Sequence, residues 1–194
     1  MDNLTKKERV RRLAETAIML AMSIILSQFA VFKLPFGGSV TLFGQLPMVV
    51  VSYRYGIKWG AFSGLVMAVI QLLFGLENFT WVSGLVPYLI LVFADYIVAF
   101  GVLGFGGLFK KTIKNQVLSL TLGSVVVSLV RYICHFISGV TIWSSYAKGV
   151  SVWEYSLTYN GSYMIPETII TAVGAIVVGS IFDLSSTELK VKNK

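Results

Sequence analysis

Long apolar stretches dominate this sequence and constrain its fold more than any other feature. Stretches of about 20 residues, the length that an α-helix needs to cross the hydrocarbon core of a bilayer, recur along nearly the whole chain. Hydrophobic residues make up 56% of the chain and charged residues only 13%, which is about half the charged fraction of a soluble domain. The sequence therefore predicts a single membrane domain over residues 1–194.

Glycine, proline and charged residues interrupt the apolar stretches and divide them into six predicted transmembrane helices. The predicted spans are residues 13–32, 41–53, 57–74, 84–109, 116–143 and 162–182. The second span is short and contains Pro47. Residues 144–161, which are rich in Trp, Tyr and Ser, are predicted to form an outer loop that acts as a lid. The fold class is thus an all-α integral membrane protein.

Basic residues gather at every second predicted loop. They are Lys6, Lys7, Arg9, Arg11, Arg12, Arg54, Lys58, Lys110, Lys111, Lys114, Lys190, Lys192 and Lys194. Because basic loops remain in the cytoplasm, both termini are predicted to be cytoplasmic, in a multi-pass protein of the cell membrane. The net charge of +7 therefore reflects topology and gives no reason to expect a nucleic-acid partner.

Several motifs that would define an enzyme or a self-sufficient transporter are missing from the sequence. It has no G-x-x-x-x-G-K-[ST] phosphate loop, so any ATP-driven activity requires partner subunits. It has no internal repeat of the kind found in many secondary transporters. Cys134 is the only cysteine and lies in an apolar span, so we expect neither a disulfide nor a cysteine metal site. We also expect no other metal site and no cofactor.

Two charged residues lie near the middle of predicted spans, where an unpaired charge costs about 2.5–3.5 kcal/mol. Asp95 is in the fourth span and Arg131 in the fifth, and each is about 16 Å below the outer end of its helix. The two are predicted to face one cavity. His135 and Gly139 follow Arg131 at intervals of four residues, which places all three on one face of the fifth span.

Aromatic and amide side chains are concentrated at the same outer end. They are Tyr96, Trp143, Trp153, Tyr155 and Asn160. A carboxylate among aromatic rings and hydrogen-bonding groups suits the binding of an aromatic cation better than it suits bond-making chemistry, so the chain is not predicted to be an enzyme. Glu167 and Gln71 are further polar candidates without an assigned role.

Structural explanations exist for the same residues. Asp95 and Arg131 would then form only an ion pair, His135 would be a packing residue, and the tryptophans would be anchors at the membrane interface. Clustering at one depth and one side favours a binding site over this alternative.

Small residues form one face of the first predicted helix. Ala14, Ala17 and Ala21 follow an Ala-x-x-x-Ala spacing, which allows another helix to approach closely. The alternative is packing inside this protein, which also applies to Gly60 and Gly64 in the third span.

Four blocks of the sequence resemble the thiamine-specific substrate-binding subunits, or S components, of energy-coupling factor (ECF) transporters. The blocks are Phe-Ala-Asp-Tyr at 93–96, Arg-Tyr-Ile-Cys-His-Phe-Ile-Ser-Gly at 131–139, Ile-Trp-Ser-Ser-Tyr-Ala at 142–147 and Tyr-Ser-Leu-Thr-Tyr-Asn-Gly at 155–161. Their order and spacing make the match specific, and the resemblance covers most of the chain.

The resemblance implies a six-helix S-component fold that holds thiamine near the outer face. It also implies three partners, a transmembrane coupling subunit and two ATP-binding subunits, with Ala17 and Ala21 matching the family's contact motif for the coupling subunit. The implied ligand residues are Asp95 for the aminopyrimidine and thiazolium, Tyr96 and Gly139 for the hydroxyethyl end, Arg131 for the pyrimidine side, His135 and Trp143 for the rings, and Tyr155 and Asn160 for hydrogen bonds to the pyrimidine.

The sequence departs from the family's tryptophan positions at two places. Gly38 and Met67 stand where some members carry tryptophan, so Phe79 or Trp81 is expected to supply ring stacking instead.

Three other functions remain open from the sequence. The first is binding of another small vitamin or a thiamine precursor. The second is an intramembrane enzyme that uses Asp95 and His135, and the third is a scaffold that binds no small molecule.

Overall fold

The part of the chain that the computed structural model describes, residues 4–186 and 188–192, consists of helices, short 3-10 turns and two short hairpins. The helices are α1 (Lys6–Gln28), α2 (Leu46–Tyr55), α3 (Ile57–Phe74), α4 (Leu85–Phe105), α5 (Gln116–Thr141) and α6 (Val152–Ile181). Strands β1 (Ala30–Lys33) and β2 (Ser39–Thr41) form an antiparallel hairpin, as do β3 (Phe182–Asp183) and β4 (Lys190–Val191). Lys194 of the predicted basic tail lies outside the described residues.

Four helices of the described chain are long and apolar enough to cross a membrane, namely α3, α4, α5 and α6. The helix α1 begins with a basic segment, and α2 has 10 residues, which gives a length of about 15 Å, or half of the hydrocarbon core. The structure therefore agrees with a helical membrane protein, and the number of six spans stays a prediction.

The helix α2 lies at the centre of the bundle. Met48 and Val49 are fully buried there, and they belong to a core cluster with Met67, Leu103 and Leu120 from the surrounding helices. Pro47 is tolerated because it lies in the first turn, where its missing N–H leaves no hydrogen bond unmade.

The first predicted span is wrong at its outer end. The helix α1 begins after Thr5, whose side chain and Glu8 form a capping box, and it ends at Gln28. Residues 30–32, predicted as helix, instead belong to β1, which pairs with β2 across the turn Pro35–Gly37. Proline and glycine favour this turn, and the β-branched and aromatic side chains beside it favour a strand.

The loop predicted over residues 144–161 is wrong from residue 152 onward, because α6 begins at Val152. Ser151 caps the helix by accepting a hydrogen bond from the Glu154 N–H. The next two turns pack on α5, where the Ser156 hydroxyl donates to the Phe136 carbonyl oxygen at 2.8 Å and Asn160 Nδ2 donates to the His135 carbonyl oxygen at 3.1 Å. Polar and aromatic residues that are typical of a loop are thus accommodated in a helix by contact with its neighbour.

The small-residue faces of α3 and α1 serve different purposes. A Cβ atom on Gly60 would lie 2.2 Å from the Gly104 carbonyl oxygen, and one on Gly64 would lie 2.6 Å from the Gly101 carbonyl oxygen, so these glycines allow α3 and α4 to pack. Ala17 and Ala21, in contrast, are exposed on the outside of α1. Internal packing therefore explains the α3 face and leaves the α1 face without a partner in the described residues.

The basic segments meet at one end of the bundle. Arg54, after α2, forms an ion pair with Glu15 of α1 at 2.9 Å, and Lys110 donates to the Arg54 carbonyl oxygen at 3.3 Å. Arg11 pairs with Glu188 near the C-terminus at 3.0 Å. The β1–β2 hairpin and the outer ends of α3–α6 lie at the opposite end of the bundle.

Candidate substrate-binding site

A cavity of about 440 Å³ lies between α3, α4, α5 and α6 beneath the β1–β2 hairpin. All eight residues that the sequence analysis assigns to substrate binding line this cavity. They are Asp95, Tyr96, Arg131, His135, Gly139, Trp143, Tyr155 and Asn160. Trp153, grouped with them by its position in the sequence, is instead 66% exposed and packs on Phe136.

A π-helical turn in α4 presents two of these residues to the cavity. The segment Leu91–Val98 winds more widely than an α-helix, and it contains Asp95 and Tyr96. Such turns often occur at functional sites because the additional residue rotates the following side chains about the helix axis. Nothing in the hydropathy pattern of the sequence indicates this turn.

The Asp95 carboxylate is held by three donors from α5 and the turn that follows it. His135 Nδ1 is 2.8 Å from Asp95 Oδ1, while the Ser138 hydroxyl donates to Oδ2 at 2.5 Å and Trp143 Nε1 donates to Oδ2 at 3.3 Å. The ionisable residue that contacts the Asp95 carboxylate is His135, and no ion pair between Asp95 and Arg131 is found among the described residues. The alternative in which Asp95 pairs with Arg131 is therefore wrong, because the rotation of α5 brings the imidazole to the carboxylate.

Three buried polar atoms of cavity residues have no hydrogen-bond partner among the described residues. They are Arg131 Nε, His135 Nε2 and Gln45 Nε2. The Arg131 guanidinium lies over the ring of Phe100 at 4.3 Å from its centroid. Leaving a buried polar group unpaired costs about 1–3 kcal/mol, so these atoms are expected where water or a bound ligand completes the site.

The tip of the β1–β2 hairpin covers the cavity in place of the predicted lid. Phe36 adopts a left-handed backbone conformation with φ of 65°, and its ring centroid lies 5.4 Å from that of Trp81, 5.7 Å from that of Trp143 and 4.3 Å from that of Tyr146. Tyr159 of α6 hydrogen-bonds to the Pro35 carbonyl oxygen. An aromatic cluster and a hydrogen bond thus hold the hairpin over the site.

The two positions that depart from the family pattern both line the cavity. A Cβ atom on Gly38 would lie 2.8 Å from the Tyr163 ring, so a tyrosine of α6 fills the space that a larger residue would need. Met67 is 1% exposed. Of the two alternative stacking residues, Trp81 lines the cavity, whereas Phe79 packs against Tyr88 outside it.

Two of the predicted polar ligands already have partners within the protein. The Tyr96 hydroxyl donates to the Gly75 carbonyl oxygen at 3.1 Å and accepts from Asn78 Nδ2 at 2.7 Å. Asn160 Nδ2 donates to α5, and its Oδ1 accepts from the Tyr163 hydroxyl at 2.7 Å. Asn78 and Gln45 are cavity residues that sequence reasoning missed. Gln45 could have been noticed as a single polar residue among apolar ones, whereas Asn78 lies beside Glu77 in a polar segment and carries no such signal.

Gly139 lies where α5 and α6 approach most closely at the cavity. A Cβ atom there would lie 2.9 Å from Asn160 Nδ2 and would also overlap the Ser156 hydroxyl. We expect Gly139→Ala to lower the stability of the purified protein by about 1–3 kcal/mol through overpacking, measured by thermal unfolding in detergent. Gly101→Ala is the matched control, because its Cβ meets nothing within 4 Å. Equal unfolding temperatures for both variants would contradict this account.

Comparisons with known proteins agree with this architecture. The family model described as "Thiamine transporter protein (Thia_YuaJ)" matches residues 13–185. The chain is 35% identical to "Thiamine transporter ThiT" of Bacillus subtilis over 182 residues, which cover 88% of this chain and 91% of that protein. It is 29% identical to "Thiamine transporter ThiT" of Lacticaseibacillus paracasei over 186 residues, covering 88% and 86%.

A solved structure is similar along most of its length. The structure of ThiT from Listeria monocytogenes matches with a TM-score of 0.70 and 25% sequence identity, covering 88% of this chain and 94% of that one. The family model spans nearly the whole described chain, and the Bacillus relative is similar across the same region. From its match to the family model and its similarity to these relatives, we conclude that this chain belongs to the thiamine transporter protein family.

Proposed function

We propose that this chain binds thiamine in the cavity and delivers it for uptake as the S component of an ECF importer. The observation that carries the proposal is a buried carboxylate, Asp95, held at the wall of an aromatic cavity in a member of this family. Thiamine is a two-ring cation, and a carboxylate with ring faces around it recognises such a ligand through charge and cation–π contacts. The cavity volume falls within the usual range for small-molecule sites.

We propose the following roles for the lining residues. Asp95 is the counter-charge for the ligand. His135 and Trp143 line its rings, Arg131 lies on the pyrimidine side, Tyr155 and Asn160 hydrogen-bond to the pyrimidine, and Tyr96 and Gly139 meet the hydroxyethyl end. Support comes from their position around one cavity and from the unpartnered Nε atoms.

The proposed partners are a transmembrane coupling subunit and two ATP-binding subunits. The absence of a phosphate-loop motif in the sequence supports a need for separate ATPases. The exposed face formed by Ala17 and Ala21 supports close approach by a helix of the coupling subunit. The relatives carry the names of transporters, so we do not propose an intramembrane enzyme.

The proposed topology has six spans with both termini in the cytoplasm. The basic residues gathered at one end of the bundle support a cytoplasmic location for that end. The cavity beneath the β1–β2 hairpin then faces the outer side of the membrane, where thiamine is captured.

Titration of tryptophan fluorescence tests the proposal. Trp81 and Trp143 line the cavity, so thiamine is expected to change the emission of the purified protein with saturation at micromolar concentration. Trp143→Phe is expected to remove much of the signal, and Trp153→Phe, outside the cavity, to preserve it. The absence of any saturable response in the unmodified protein would refute thiamine binding. Competition with the separate pyrimidine half tests the alternative of a precursor as ligand.

A further inference from the structure

Glu167, on α6, is a second buried carboxylate of the cavity. Its side chain is 2% exposed and lies among the lining residues. The Thr41 N–H donates to Glu167 Oε2 at 2.5 Å, and the Thr41 hydroxyl donates to Oε1 at 2.7 Å. Both oxygens therefore accept hydrogen bonds, the arrangement of an ionised carboxylate that has no need of a ligand to satisfy it.

Arg131 requires an opposite charge that Asp95 does not supply. The guanidinium makes no ion pair in the described residues. The Asp95 carboxylate instead contacts His135, which lies on α5 together with Arg131. Glu167 is the other buried carboxylate that lines the same cavity as Arg131, and its own hydrogen bonds to Thr41 do not neutralise its charge. A buried cation is costly without a compensating anion, so Glu167 offsets Arg131 across the cavity.

The environment of His135 favours the neutral imidazole. Its Nδ1 faces the Asp95 carboxylate, whereas its Nε2 is buried without a partner. Protonation of the ring would leave a charged N–H unpaired in a buried position, which costs more than an unpaired lone pair. His135 therefore adds no charge to the empty cavity.

The charges of the lining residues leave one negative charge inside the cavity. At the rim, Lys33 and Glu77 are exposed, carry opposite signs and are screened by solvent. In the interior, Asp95 and Glu167 are negative and Arg131 is positive. The interior therefore matches a ligand with a single positive charge.

We infer that Glu167 is a specificity-determining residue whose charge offsets Arg131 and so leaves the Asp95 charge to select a monocation. This inference rests on the proposed binding of thiamine, whose thiazolium ring carries one permanent positive charge. Glu167 acts through the field of the cavity and needs no contact with the ligand.

The test compares thiamine with an uncharged isostere in which carbon replaces the charged ring nitrogen. Glu167→Gln preserves the size of the side chain and makes the interior neutral. We expect the variant to bind thiamine about tenfold more weakly and to bind the isostere within about threefold of the unmodified protein. The readout is the ratio of the two dissociation constants.

Two controls separate charge from structure. Thr41→Val removes one hydrogen bond of Glu167 and keeps its charge, so the ratio is expected to stay the same. Adding Arg131→Gln to Glu167→Gln returns the interior to one negative charge and is expected to restore the preference for the cation. Arg131→Gln alone leaves two negative charges in the interior and is expected to increase the preference for thiamine over the isostere. If Glu167→Gln does not fold, this variant alone tests whether the interior charge selects the cation.

Specific outcomes would overturn the inference. Equal losses for the two ligands in Glu167→Gln would assign Glu167 a purely structural role. The inference would also be contradicted if the double variant failed to restore the preference for the cation. The same holds if Arg131→Gln alone left that preference unchanged or reduced it. If the unmodified protein binds neither ligand, the proposed function itself fails, so the two failures are distinguishable.

Discussion

Replacing Asp95 with asparagine is expected to weaken thiamine binding by about 1.5 kcal/mol or more, a change of about tenfold in Kd. The amide retains nearly the same shape but loses the negative charge that opposes the thiazolium. It also replaces an acceptor oxygen with a donor beside Trp143 Nε1, which now donates to the carboxylate. The measurement is fluorescence or calorimetric titration of the purified variant.

Glu154→Gln is the matched control for Asp95→Asn. Glu154 is an exposed carboxylate at the start of α6 and is not among the cavity residues. Its removal changes the net charge of the protein equally and is expected to leave thiamine affinity unchanged. An unaltered Kd in Asp95→Asn would remove Asp95 from the binding site, and an equal loss in both variants would indicate a nonspecific effect of surface charge.

Substitution of both Ala17 and Ala21 with tryptophan is expected to abolish thiamine uptake while binding is retained. The two alanines are exposed on one face of α1, and bulky rings there prevent the close helix approach that small residues permit. We expect uptake to fall at least about tenfold, because a steric block at a helix contact removes the docked state. The Kd for thiamine should stay within about threefold, because neither alanine lines the cavity.

The control places the same two rings on another exposed surface. Ile169 and Val173 lie four residues apart on α6 and are 58% and 50% exposed. Their replacement with tryptophan places two indole rings where no partner is proposed, so uptake should persist. Uptake at the unmodified rate in the Ala17/Ala21 variant would refute a docking role for this face of α1.

The ionisable residues within the spans could be identified from the sequence because such groups are rare in apolar helices, whereas Gln45 and Asn78 could not. The similar depth of Asp95 and Arg131 in antiparallel helices predicted that they would face the same cavity, and the four-residue spacing placed His135 on the same face as Arg131. The direct contact of Asp95 with His135 at 2.8 Å was not predicted, because the sequence favoured Arg131 as the ion-pair candidate. The helix rotation that decides between these partners depends on packing and on the π-helical turn at Leu91–Val98.

Segments between and beside the spans were less predictable. The hairpin over the cavity was mistaken in part for the end of a helix, and the first turns of α6 were mistaken for a lid. In both cases the composition is ambiguous, and long-range contacts decide the outcome. Tyr159 binds the hairpin tip, and Ser156 and Asn160 bind the backbone of α5.

The sequence by itself determined that this chain is a helical membrane protein with basic residues gathered at one end and a carboxylate, an imidazole and aromatic rings gathered at the other. The tertiary structure decided that Asp95 pairs with His135, that Tyr163 fills the space beside Gly38, and that Ala17 and Ala21 face outward. The physical reason is that position along a helix follows directly from residue number, at about 1.5 Å per residue. Rotation about the helix axis is set only when the side chains of neighbouring helices pack against one another.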